Sequence, residues 1–135
     1  KLPRDAEGYM GRLRCVQEIS AVTAACMMVK TSVFKAVGGF DEELKVAFND
    51  IDLCMKVRKY GVKIVFTPYA ELYHYESKSR GMEDTPEKQL RFSREVNCFR
   101  RKWERELLKG DPYYNPNLTL NNTDCSLRKQ EKNGD

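Results

Sequence analysis

The segment from Thr85 to Gly110 constrains the fold most. Thr85-Pro86-Glu87 supplies, in order, a capping hydroxyl, a proline suited to the first helical position and an acid that complements the helix dipole. Phe92, Val96, Phe99, Trp103 and Leu107 then recur every three or four residues. This predicts one long helix with a single apolar stripe, stopping at Gly110. Such a stripe must be buried against another element, so the rest of the chain has to build a surface for it. The helix's other faces carry Lys88, Arg91, Arg94, Arg100, Arg101, Lys102 and Arg105, interleaved with Glu87, Glu95, Glu104 and Glu106. The interleaving favours a solvated helix packed on a core over a nucleic-acid groove, and leaves attraction to an anionic lipid surface open.

Upstream, "AVTAACMMV" (Ala21 to Val29) is apolar without helical spacing and predicts a buried strand. Thr31 or Ser32 offers the cap of a short helix that Gly38-Gly39 would close. From Asn49, Leu53, Cys54 and Val57 recur at helical spacing as far as Tyr60, and Gly61 is a natural stop. "VKIVFT" alternates Val62, Ile64 and Phe66, predicting a strand ended by Pro68, and "AELYHY" reads as a second extended piece. Strands alternating with helices define an α/β class, yet two or three strands cannot make a doubly wound sheet. There is no G-x-G-x-x-G, so residues that would hold a nucleotide are expected elsewhere.

With 135 residues, 41% hydrophobic and 33% charged, the chain suits one compact unit. It divides into an irregular lead-in (1–20), an α/β part (21–110) and a turn-rich tail (111–135) that drapes over the surface. The start without Met, in a polar stretch, fits a piece of a longer protein. No apolar run approaches the roughly 20 residues that span a bilayer, and the first residues lack an export-signal pattern. Five cysteines without a C-x-x-C pair support neither a zinc ribbon nor a disulfide framework. Cys26, Cys54 and Cys98 lie in apolar segments, as free buried thiols do, so the expected setting is the reducing cytoplasm, including the inner face of the membrane. The sequons at Asn117 and Asn121 then carry no weight.

"FNDID" crowds an amide and two acids into one turn at a helix mouth. In a structural reading, Asn49 caps the helix, Asp52 reaches back as in a capping box and Asp50 complements the dipole. In a chemical reading, one carboxylate at that mouth is a general base whose orientation the capping geometry fixes. His74, the single histidine, precedes the polar "ESKSRG" loop. A surface role is the commoner one for such a residue, but a neutral imidazole there could join carboxylates around a divalent metal. Lys78 and Arg80 in that loop are candidates for gripping phosphate oxygens, or simply solvated residues.

From Val22 to Gly81, through G-G-F-D-E, N-D-x-D and His74, the chain resembles the C-terminal half of family 2 glycosyltransferases, inverting enzymes of the GT-A fold. "GDPYYNPNLTL" is similar to the end of the catalytic domain in bacterial members that build cell-wall polysaccharides. The resemblance implies the acceptor side of a Rossmann-like GT-A domain whose nucleotide-binding half, with its D-x-D motif, is absent. It implies Asp50 as the base that deprotonates the acceptor hydroxyl. Asn49 and Asp52 would be its supports, and Asp41 and Glu42 the acceptor-side acids. Arg80 would lie beside the donor diphosphate, with Lys78 of the same loop a second candidate for its oxygens, and His74 beside a Mn²⁺ or Mg²⁺ ion. The implied partners are a nucleoside diphosphate sugar and a glycan or lipid-linked glycan acceptor, with peripheral membrane contact and a homo-oligomer also open. A non-catalytic module keeping part of the fold, or a basic nucleic-acid or membrane-surface binder, are the alternatives.

Overall fold

Why the long helix forms where it does is visible at both ends. In the computed structural model, which describes residues 3–74, 85–122 and 124–129, the Thr85 hydroxyl accepts a hydrogen bond from the Lys88 amide at 3.4 Å and Pro86 opens the helix. This helix, α3, spans Pro86–Leu108, departs from helical geometry at Trp103 (φ −115°, ψ 19°), and is followed by Gly110 at φ 76°. Its stripe is buried at Phe99 and Trp103, whereas Phe92 and Leu107 stay 43% and 46% exposed. The contact is therefore narrower than the periodicity implies.

Two further helices precede it. α1, Thr31–Ala36, starts without a side-chain cap, because Thr31 is already helical and Lys30 takes the cap position. It ends as the glycines dictate: Gly38 and Gly39 both have positive φ, and a Cβ on Gly39 would lie 3.1 Å from the Phe34 ring. α2, Asn49–Lys59, buries Leu53, Cys54 and Val57 together with Asp52. Its end at Tyr60 and Gly61 agrees with the sequence. Leu44, Phe99 and Trp103 form a buried cluster, against which Phe48, Ile51, Met55 and Cys98 pack.

The sheet is small. β1, Gln17–Glu18, pairs antiparallel with β2, Val65–Phe66, with Gln17 opposite Phe66 and Glu18 opposite Val65. The strand expected at Ala21 to Val29 does not form: Thr23 caps a short 3-10 turn over Ala24–Cys26, and Met28 and Cys26 are exposed. A strand needs a neighbour for its ladder, and among the described residues β1 and β2 pair only with each other. The backbone therefore finds a local partner, the Cys26 amide donating to the Thr23 carbonyl. The expected extended piece at "AELYHY" likewise leaves Leu72 and Tyr73 mostly exposed, outside any strand. The architecture is mixed, mainly helical with one two-stranded sheet.

The tail is fastened rather than loose up to Arg128. The Tyr113 hydroxyl donates to Glu18 at 3.0 Å, Ser20 donates to Asp111, and the Arg58 guanidinium lies 5.7 Å from the centre of the Tyr113 ring. Glu18 also binds Lys63, and these contacts, Lys63 first, hold its carboxyl below the usual range. Leu118 is buried and bridges to Leu127. No helix among the described residues is long and apolar enough to cross a membrane.

Candidate active site at the mouth of the second helix

Phe48 sets the entry to α2. It takes the cap position in the left-handed conformation (φ 64°, ψ 3°) and offers no side-chain cap. Asn49 is thus the first helical residue and not the cap that the sequence suggests. Asp50 follows, half-buried. Its Oδ1 accepts the Ile51 amide at 2.9 Å and its Oδ2 accepts the Ala24 amide at 3.1 Å. A carboxylate has roughly four lone-pair sites, so two remain for another donor. Among the described residues no cation is paired with Asp50. Its orientation is fixed by neutral amides.

Asp52 is the reverse case. It is fully buried, and its Oδ1 accepts from the Trp103 indole at 2.8 Å and from Lys102 Nζ at 2.7 Å. Lys56 Nζ stands 3.2 Å from Oδ2, an ion-pair distance without hydrogen-bond geometry. Asp52 does not reach back to cap the helix; it joins α2 to α3. The same Lys102 ammonium also binds Asp41. Asp41 also accepts the Glu43 amide at 2.9 Å, and these two bonds, Lys102 first, lower its carboxyl below the usual range. Burial opposes the charge on Lys102, but its bonds to Asp41 and Asp52 outweigh that and raise its pKa. Glu42 is exposed, while Glu43 accepts from the Cys98 thiol at 3.2 Å, which pushes that thiol's pKa up. Burial pushes the Cys54 thiol up as well.

Glu95, Lys102 and Trp103 are the residues that sequence reading missed. Glu95 is 3% exposed, and its two oxygens accept the Val46 and Ala47 amides at 3.2 and 2.8 Å. A signal for it exists: Glu95 falls three residues after Phe92 and four before Phe99, an acid inside the apolar stripe. Such a position has to be paid for by specific partners.

The structure brings Asp41, Asp50 and Asp52 to one end of α2, and Asn49 with them. His74 is exposed. Lys78 and Arg80 lie outside the described residues. Among the described residues no three His, Cys, Asp or Glu side chains converge as metal ligands. The described residues of this chain therefore do not fit a divalent-cation site.

Sequence comparison supplies the context. The chain is 56% identical over 126 residues to an uncharacterized protein of Sinorhizobium fredii, covering 93% of this chain and 14% of that protein. It is 39% identical over 115 residues to the O-antigen biosynthesis protein RfbC of Myxococcus xanthus, covering 85% of this chain and 9% of that one. Over 62 residues, 46% of this chain, it is 36% identical to the N-acetylglucosaminyl-diphospho-decaprenol L-rhamnosyltransferase of Mycobacterium tuberculosis, covering 20% of that enzyme. The chain thus spans between 9% and 20% of the length of these relatives. No protein-family profile matches it, and no solved structure matches it significantly.

Proposed function

We propose that this chain is the acceptor side of an inverting glycosyltransferase of the family 2, GT-A type, and that Asp50 is its general base. The parent protein would transfer a sugar from a nucleoside diphosphate donor to a hydroxyl of a glycan or lipid-linked glycan. The observation that carries the reading is the likeness, over 85% of the chain, to a protein named for O-antigen biosynthesis, joined over a shorter stretch by a named rhamnosyltransferase. The geometry of the helix mouth supports it: of the three aspartates there, Asp41 and Asp52 are tied to Lys102, and Asp50 is paired with no cation among the described residues.

The chemistry follows from that difference. An incoming hydroxyl donates its hydrogen to an open lone pair of Asp50, which takes the proton as the oxygen attacks the anomeric carbon and the bond from that carbon to the donor diphosphate breaks. The amides of Ala24 and Ile51 hold the carboxylate still, so little reorganisation is needed at that moment. Asp41 and Asp52, each held by a lysine, support the frame around the base. Lys78 and Arg80 are proposed to face the departing diphosphate. A divalent cation is proposed for the parent protein, with His74 offering one imidazole ligand beside ligands from outside the described residues.

The test is Asp50→Asn in the parent protein, assayed against nucleoside diphosphate sugars with a polyprenyl-diphosphate-linked sugar as acceptor. Turnover is expected to fall by about 10²–10⁴-fold, the usual worth of a general base, with donor affinity nearly unchanged. Wild-type turnover in that variant would remove Asp50 from the mechanism.

A further inference from the structure

We propose that Glu95 is the positioning residue of this site: from α3 its carboxylate holds the turn over residues 46–48 in the conformation that aims Asp50. The inference rests on reading Asp50 as the base.

Three observations converge on it. Glu95 is buried, and it divides its two oxygens between consecutive amides, Val46 and Ala47, immediately before Phe48. Gripping two successive N–H groups fixes the direction of the chain as it enters Phe48, in the way backbone nests hold anions. Phe48 then adopts φ 64°, a left-handed conformation that bulky side chains rarely take and that persists only where its surroundings impose it. Those surroundings are again α3: the Phe48 ring stacks on Phe99 at 5.1 Å and leans on Phe92 at 5.9 Å. The Phe48 carbonyl accepts the Asp52 amide at 2.8 Å, so the turn leads directly into the first turn of α2, which carries Asp50.

The chain of contacts therefore runs from Glu95 through two amides and a strained residue to the Asp50 carboxylate. Lys102 serves the flanks of the same entry, through Asp41 on one side and Asp52 on the other. Lys102 acts through two side chains, whereas among the described residues the hydrogen bonds of Glu95 go to the backbone of the entering turn. Among its neighbours, Arg91 Nε stands 3.9 Å from Oε1, on the same helix.

Glu95→Gln tests this. Glutamine keeps the shape, but its carbonyl can accept only one of the two amides and its NH₂ opposes the other. Amide hydrogen exchange at Val46, Ala47, Ala24 and Ile51 is read by NMR, with Trp103, the single tryptophan, as an emission probe of the α2–α3 contact. The expected result is unchanged Trp103 emission with all four amides exchanging about 10-fold faster or more. Val46 and Ala47 report the lost grip, and Ala24 and Ile51 report that Asp50 has lost its place. Retained protection at Ala24 and Ile51 would overturn the proposal, because Asp50 would then be oriented without Glu95. If the Gln variant loses the Trp103 environment, Glu95→Asp, which keeps the charge but shortens the reach, is measured in the same way. A Trp103 change there too would assign Glu95 to core cohesion and end the positioning role. These readings are independent of turnover, so an Asp50→Asn variant with full activity would sink the base and not the geometry.

Discussion

Asp50 and Asp52 are two residues apart in sequence and belong to opposite environments. The helix turns about 200° between them, so when one faces the Ala24 turn the other must face inward, where Trp103 and Lys102 meet it. The energetic consequence is specific to Asp52. Removing Lys102 leaves the buried Asp52 carboxylate with Lys56 as its one cation among the described residues, so Lys102→Met is expected to destabilise the protein by about 1–3 kcal/mol, less than a fully stranded buried charge would cost. Adding Asp52→Asn to that variant should restore part of the loss, since the buried carboxylate left with Lys56 alone is then gone. Trp103→Phe, which keeps the ring burial and deletes the indole N–H, should cost about 1–3 kcal/mol. Urea denaturation of the variants and the double mutant checks all three; additive losses in the double mutant would deny the coupling. In sequence, N-D-x-D reads as a helix mouth with a cap, a capping-box acid and a dipole acid, or with one carboxylate as a general base. Which acid was buried depended on a tryptophan and a lysine about fifty positions away, a contact that no local pattern encodes.

α3 is the element on which the others are aligned. It supplies Phe99 and Trp103 to the core, Lys102 to Asp41 and Asp52, and Glu95 to the turn before α2. The Lys102 bridge also gives the contact a pH range. The folded-state pKa of Asp41 is lowered, so its contribution is present above about pH 4 and is lost as pH falls through the lower folded value. That of Lys102 is raised, so its contribution is complete below about pH 10 and is lost as pH rises through the higher folded value. Trp103 emission should therefore be flat between these limits and shift beyond each, and Lys102→Met should flatten both limbs. A wild-type transition centred between about pH 5 and 8 would mean that another group controls the contact. Helices α2 and α3 were legible because their signals are local: a capping threonine, a proline, a stripe, a closing glycine. The strand expected at Ala21 to Val29 was not, since an apolar run specifies burial, and a ladder needs a partner that the described chain does not place beside it.

At the scale of the whole molecule, the buried core is small beside the apolar surface left outside it. Leu44, Leu53, Cys54, Val57, Phe99, Trp103 and Leu118 are buried, while Met28, Tyr69, Leu72, Tyr73, Leu108, Leu120 and Leu127 are each more than 70% exposed. The described residues also offer no phosphate-gripping glycine loop and no convergent metal ligands. Calorimetry of this chain with nucleoside diphosphate sugars and with Mn²⁺ should accordingly show no micromolar binding; such binding would locate a donor site within these residues. The exposed apolar side chains make a second demand. Burying them releases about 25 cal/mol for each Å² of apolar surface removed from water, and a contiguous set of that kind recruits another surface. Among the described residues the short β1–β2 pair also leaves its outer edges without a neighbouring strand, which invites the same outcome. The chain is expected to self-associate as its concentration rises, with sedimentation velocity showing a concentration-dependent increase in mean sedimentation coefficient. Replacing Met28 and Leu72 by serine should weaken that association without shifting Trp103 emission, since neither residue belongs to the buried cluster. A monomer at every concentration would show that these side chains are dispersed singly over the surface, as apolar residues commonly are, and that this face makes no claim on a partner.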